Sequence, residues 1–202
     1  MKQLLTEYIP FVISPQMIKE SLMENNGKLI VSGTIQRCDF RNQNGRVYPR
    51  PLMEREMSRY KTNEIKEHRA VGELDHPDTA IINLKNTSHN VLDIWWQGND
   101  ILAKIEILST PSGLILQKLF ESGIRVGISS RGMGSVQSRM DEIENTVEVQ
   151  DDFNIICFDF VSNPSTQGAF LEIVTENYNP TLVAFNKYAK LNRLITQIIC
   201  GE

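Results

Sequence analysis

Between Asn154 and Val161 the chain carries six apolar residues, Ile155, Ile156, Cys157, Phe158, Phe160 and Val161, and only two polar ones, Asn154 and Asp159. The run has the length of a strand and is rich in β-branched and aromatic types. It lacks the polar alternation of a strand with one wet face, which predicts a central strand covered on both sides. A chain holding such a strand must supply a layer of structure on each face. Asn163-Pro164 ends the run. Asp159 is the anomaly within it, because a carboxylate is costly to bury unless it is paired or hydrogen-bonded. It marks either a wet face of the sheet or a group with a specific partner.

The rest of the chain provides the layers. Ser14-Pro15 starts a helix through Leu22 and Met23, and Asn25-Asn26-Gly27 stops it. Lys28 to Cys38 alternates as a strand, and Asn44-Gly45 is a tight turn. Pro49 and Pro51 open a charged, surface-exposed helix to about Tyr60. Ser88–Trp96 and Ile101–Leu108 form a hairpin about Gly98-Asn99-Asp100. Thr110-Pro111 starts a helix with Leu114, Ile115, Leu119 and Phe120 on one side, and Gly123 stops it. Val136–Met140 pairs with Val147–Gln150, Phe170–Val174 is a short strand, and Leu182–Ile199 is an amphipathic helix. Strands and helices do not alternate regularly, which argues for an α+β fold with a mainly antiparallel, barrel-like sheet surrounded by helices. The expected organisation is an N-terminal helical extension over 1–27, a barrel domain over 28–176 and a C-terminal helix over 177–202.

Composition narrows the function classes. The net charge of −4 gives no basic footprint for nucleic acid. No apolar run approaches the roughly 20 residues that span a bilayer. Cys38, Cys157 and Cys200 are far apart and odd in number, which suits a reducing, cytosolic compartment rather than a disulfide framework. No histidine pair has metal-ligand spacing, so neither metal nor cofactor is expected.

Chemistry concentrates in Gly127-Ile128-Ser129-Ser130-Arg131-Gly132-Met133-Gly134. A serine among glycines can present a hydroxyl beside free backbone N–H groups, the local requirement of a nucleophile with an oxyanion hole. Taken alone, a Gly-rich turn between two strands is the simpler explanation of the stretch. A phosphate-cradling loop would need a Gly-Lys-Ser/Thr ending, which is missing. A serine nucleophile needs a base. Among three histidines, His68 sits in a charged cluster and His89 at a strand start, while His76 lies in Glu73-Leu74-Asp75-His76-Pro77, its backbone restrained by the proline.

Four segments in order, Gly45-Arg46-Val47-Tyr48-Pro49, Gly72–Pro77, Val126–Gly132 and Phe158–Pro164, resemble the prohead core proteases of T4-like tailed bacteriophages. That family is distantly similar to the herpesvirus capsid-maturation proteases. The resemblance implies a herpesvirus-protease-like barrel. It further implies a serine endopeptidase inside the procapsid, in the host cytoplasm, that cuts scaffold or core proteins, the major capsid protein and itself after Glu in Leu/Ile-x-Glu sequences. Carried onto this chain, the histidine is His76 and the third, acidic member is Asp159. The nucleophile of the Ser-x-Gly pattern is Ser130, with Ser129 as the alternative. The backbone at Arg131 and Gly132, and the Arg131 side chain, are expected to hold the oxyanion. The resemblance brings no nucleic acid, membrane or cofactor, and a homo-oligomer stays open. The rival reading is a non-catalytic scaffold- or capsid-binding protein of the prohead core.

Overall fold

The computed structural model describes residues 3–11, 15–124, 126–139, 146–162 and 171–173. Its strands fall into three sheets. In the first, β7 (Val126–Gly134) lies between β1 (Gln3–Phe11) and β10 (Asn154–Val161), antiparallel to both. The second contains β2 (Leu29–Arg37), β4 (Val71–Glu73), β5 (Thr87–Gln97), β6 (Asp100–Ile107) and β11 (Leu171–Ile173), in the order β11-β2-β6-β5-β4. The third is small: β3 (Arg46–Val47) runs parallel to β9 (Val147–Val149), which pairs antiparallel with β8 (Val136–Ser138). The chain is therefore α+β and mainly antiparallel. Among the described residues the sheets do not close into a barrel. A single parallel bridge, Leu74 to Phe160, joins the end of β4 to β10.

Among the described residues three α-helices cover the sheets: α1 (Pro15–Glu24), α2 (Arg50–Tyr60) and α3 (Pro111–Glu121). Thr110 caps α3 by accepting the Gly113 N–H at 3.1 Å, and Gly123 leaves the helix at φ 72°, a conformation that favours glycine. Leu116 and Phe120 are the buried residues of its face, whereas Leu114 and Ile115 are half exposed, so the apolar stripe is rotated from the expected one. The helix α2 also differs from expectation. Despite its charges it buries Leu52, Met53, Met57 and Tyr60, and with them the carboxylate of Glu56.

The N-terminal segment is not purely helical. Residues 3–11 form a strand, and the helix begins at Pro15. The expected cap at Ser14, the acidic loop near 141–145, the Asn163-Pro164 terminator and the C-terminal helix over 182–199 lie outside the described residues.

The predicted buried strand is β10, and its two faces have different roles. Phe158 and Phe160 point into the core, edge-on to Tyr60 at 5.6 Å and to Phe120 at 5.8 Å between ring centroids. Such contacts add to the area the rings bury. Asp159 points to the other face. A bulge sets this phase: Ile155 opposes Gly132 and Cys157 opposes Arg131, leaving Ile156 without an opposite of its own. Helix α2 holds the bulge. Glu56 accepts the Ile155 N–H at 2.9 Å, and Arg55 and Arg59 donate to the carbonyls of Asp151, Phe153 and Ile155.

Candidate active site

Directly opposed residues of an antiparallel pair share a face. Past the bulge, Asp159 opposes Ser129 and Cys157 opposes Arg131, so these four side chains emerge on one side of β7 and β10. Phe158 opposes Ser130 on the core side. The end of β4 then delivers His76 to the Ser129 face. The Glu73 N–H donates to Asp159 Oδ1 at 2.9 Å, and the Asp75 N–H donates to the Phe160 carbonyl at 2.7 Å. Asp75 takes a positive φ of 71°, which turns the chain sharply, and its carboxylate accepts the His76 N–H.

The result is a continuous chain of contacts. His76 Nε2 lies 2.8 Å from Ser129 Oγ, and His76 Nδ1 lies 2.7 Å from Asp159 Oδ2. With the proton on Nδ1, the ring donates to the carboxylate and offers Nε2 to the hydroxyl. Burial alone would raise the Asp159 carboxyl. The His76 hydrogen bond, the Arg131 charge and the Glu73 N–H together outweigh it and hold the group below the ordinary carboxylate value. Asp159 is thus kept as an anion in a fully buried position.

The structure brings together His76 and Asp159 as the sequence suggests, but it pairs them with Ser129 and not with Ser130. Ser130 Oγ is buried on the core side without a hydrogen-bond partner. The physical reason is strand alternation: neighbouring residues face opposite ways, and only one serine can share a face with Asp159. The Ser-x-Gly spacing that favours Ser130 has another explanation. A Cβ at Gly132 would lie 2.5 Å from the Phe153 ring, so this glycine serves packing.

The oxyanion assignment changes too. The stretch from 126 to 134 is a strand with partners on both sides, not a turn, and Arg131 and Gly132 are in register with both neighbours. Their N–H groups belong to the sheet ladder. The Arg131 side chain is fully buried behind Asp159 rather than turned towards a substrate. Its Nε lies 2.8 Å from Asp159 Oδ2, and its Nη2 donates to Glu73 Oε1 at 2.8 Å. Sequence reasoning places Glu73 near His76 only as a substitute for Asp159 and does not pair it with Arg131. The available signal is its place three residues before His76.

His89 is also fully buried. Its ring lies between Ser88 Oγ at 2.9 Å and the Phe158 carbonyl at 2.9 Å, and burial lowers its pKa to about 4. It supports β10 from the core side as a neutral imidazole. Among the described residues no group of three or more His, Cys, Asp or Glu side chains is arranged to hold a metal ion.

A serine and a buried carboxylate on paired antiparallel strands, joined in hydrogen-bonded series by a histidine from the loop after β4, define a serine-hydrolase type of site. A family model described as prohead core protein serine protease matches residues 10–179, and the chain belongs to that family. It is 29% identical over 110 residues to the prohead core protein protease of Enterobacteria phage T4, a match covering 54% of this chain and 52% of that protein. The chain therefore spans about half the length of this curated relative. The solved structure of the bacteriophage T4 capsid assembly protease has a TM-score of 0.67 at 22% identity. It covers 81% of this chain and 99% of that one, so the fold is shared.

Proposed function

We propose that this protein is a serine endopeptidase of phage head maturation, with Ser129 as nucleophile, His76 as general base and acid, and Asp159 as the acid that orients His76. The observation that carries this reading is the unbroken series Ser129 Oγ, His76 Nε2, His76 Nδ1 and Asp159 Oδ2 at hydrogen-bond distances. Ser129 Oγ attacks a peptide carbonyl while its proton passes to His76 Nε2. Asp159 fixes the tautomer and stabilises the imidazolium that forms. The proton then goes to the leaving amine. A water, deprotonated by the same nitrogen, releases the acyl group and regenerates the serine.

Family membership supports phage core, scaffold and capsid proteins as substrates, and the procapsid as the place of action. It also supports cleavage after Glu in Leu/Ile-x-Glu sequences. An apolar cavity of about 270 Å³, lined by Leu74 and Asp75 just before His76 and by Leu119, Ile124, Val126 and Phe160 among others, suits an aliphatic side chain of such a peptide. For self-cleavage the first site is Leu5-Thr6-Glu7. Glu7 opposes Ser130 and Tyr8 opposes Ser129, so the bond between them runs beside the nucleophile. Because β1 is held in the ladder along its length, cutting there requires β1 to leave β7 first.

A small fluorophosphonate probe tests the reading, and its size matters because Ser129 is only 2% exposed. Labelling at Ser129 that disappears in His76→Ala is the expected result. Complete inertness of assembled material, with retained binding to core or capsid proteins, would favour a non-catalytic role. Co-expression with the phage's own scaffold and capsid proteins, comparing wild type with Ser129→Ala by mass spectrometry, then identifies the substrates.

A further inference from the structure

Behind the Ser129–His76–Asp159 series lies a second layer of charge that the reaction as described does not use. The Arg131 guanidinium is fully buried and all its nitrogens are engaged. Nη1 donates to the Thr79 carbonyl at 2.8 Å, Nη2 to Glu73 Oε1 at 2.8 Å, and Nε sits 2.8 Å from Asp159 Oδ2. Glu73 is equally buried, and its Oε1 also accepts the Asn83 N–H at 3.0 Å. One ion pair therefore grips the third member of the series and the segment that follows His76. The second Glu73 oxygen, Oε2, is buried without a hydrogen-bond partner.

The charges do not balance while His76 is neutral. Glu73 and Asp159 contribute two negative charges and Arg131 one positive charge. The other groups packed here add nothing to the sum. Burial and the Asp159 charge push the Cys157 thiol up, and burial pushes the Tyr60 phenol up, so both stay protonated. Asp75 and Asp78, on the His76 segment, are exposed, so water screens their charge, and His89 is neutral on the core side. One net negative charge thus stays in a dry environment, where it is matched only when His76 becomes an imidazolium.

We infer that Arg131 and Glu73 are positioning residues of opposite sign that set the basicity of His76. Arg131 limits the pull of the two carboxylates and holds Asp159 in the plane that meets Nδ1, while Glu73 restores part of that pull. The catalytic meaning of this inference rests on the proposed protease reading, but the effect on His76 does not. Removing the Glu73 charge leaves the cluster neutral and makes the imidazole a weaker base. Removing the Arg131 charge leaves two negative charges and makes it a stronger one.

The decisive measurement is the NMR titration of His76, which only two other histidines accompany, in wild type, Glu73→Gln and Arg131→Met. Glu73→Gln keeps an acceptor for Arg131 and Asn83, and His76 should titrate lower in it than in wild type. Arg131→Met should titrate higher. The acid limb of probe labelling should follow in the same two directions. An unchanged His76 titration in folded Glu73→Gln, or shifts of one sign in both variants, would overturn the inference. Should Arg131→Met fail to fold, Glu73→Gln decides alone. If labelling is absent in every protein while the titrations move apart, the protease reading fails and this inference stands.

Discussion

Ser129 and Ser130 are consecutive, yet one hydroxyl lies 2.8 Å from His76 Nε2 and the other is buried on the opposite side of the strand without a partner. The difference predicts opposite outcomes for one chemical change. Ser129→Ala should abolish probe labelling and leave the fold intact. Ser130→Ala should keep labelling and hold or raise stability by up to about 1 kcal/mol, because it removes an unsatisfied buried hydroxyl. Urea denaturation and labelling of both variants check this, and a dead Ser130→Ala beside an active Ser129→Ala would reverse the assignment.

The pH dependence of stability has a named source in His89. Its folded pKa of about 4 lies below the ordinary value of 6.5, so between those values the unfolded chain binds the extra proton. Stability should therefore fall as pH drops through that window, by about 3 kcal/mol in total for this group. Asp159, with its depressed carboxyl, adds a further loss only at lower pH, as the medium approaches its folded value. Denaturation at a series of pH values tests the order. His89→Gln should be less stable at neutral pH but should flatten the upper part of the slope.

Gly72 is irreplaceable for a steric reason. A Cβ there would meet the Phe158 carbonyl at 1.9 Å and the His89 ring at 2.4 Å. Since the neighbour is backbone, β4 must move, and with it Glu73 and His76. Gly72→Ala should cost about 3 kcal/mol or more and lower labelling even where the protein still folds. Full labelling in a stably folded Gly72→Ala would contradict the placement of β4 against β10.

Glu56 acts at a distance from the chemistry. Removing its carboxylate frees the Ile155 N–H and leaves Arg55 and Arg59 without their shared anion. Glu56→Ala should lose about 2–4 kcal/mol, as expected when a buried charged acceptor is deleted. Its labelling rate should fall more than that of Arg37→Ala, which breaks a half-exposed ion pair with Asp100. Thermal melts with parallel labelling compare the two.

Much of this was legible in the residues. Strand Asn154–Val161, the hairpin of β5 and β6 and the cap of α3 follow from local pattern, and the pairing of His76 with Asp159 follows from the family segments. The choice between two adjacent serines did not follow, because spacing to a glycine says nothing about which face of a strand a side chain takes. That phase depends on partners distant in sequence. The role of Arg131 was hidden for the same reason: its carboxylate neighbours come from β4 and β10, and no local signal separates a buried guanidinium from one that meets substrate. The strand at residues 3–11 escaped notice because its register is supplied by β7.

The irregularity at Ile156 makes the identity of the third group a matter of counting rather than of composition. Were the bulge ironed flat, with Ile156 kept and the register of Asn154 and Ile155 carried onward, Ile156 would oppose Arg131 and the position facing Ser129 would pass from Asp159 to Phe158, and an anion would be exchanged for a phenyl ring without a single side chain being altered. When relatives are aligned, a gap drawn one place off in this strand therefore misassigns the acid. A grafted copy of the strand would present the carboxylate only if Glu56 came with it to hold the extra residue.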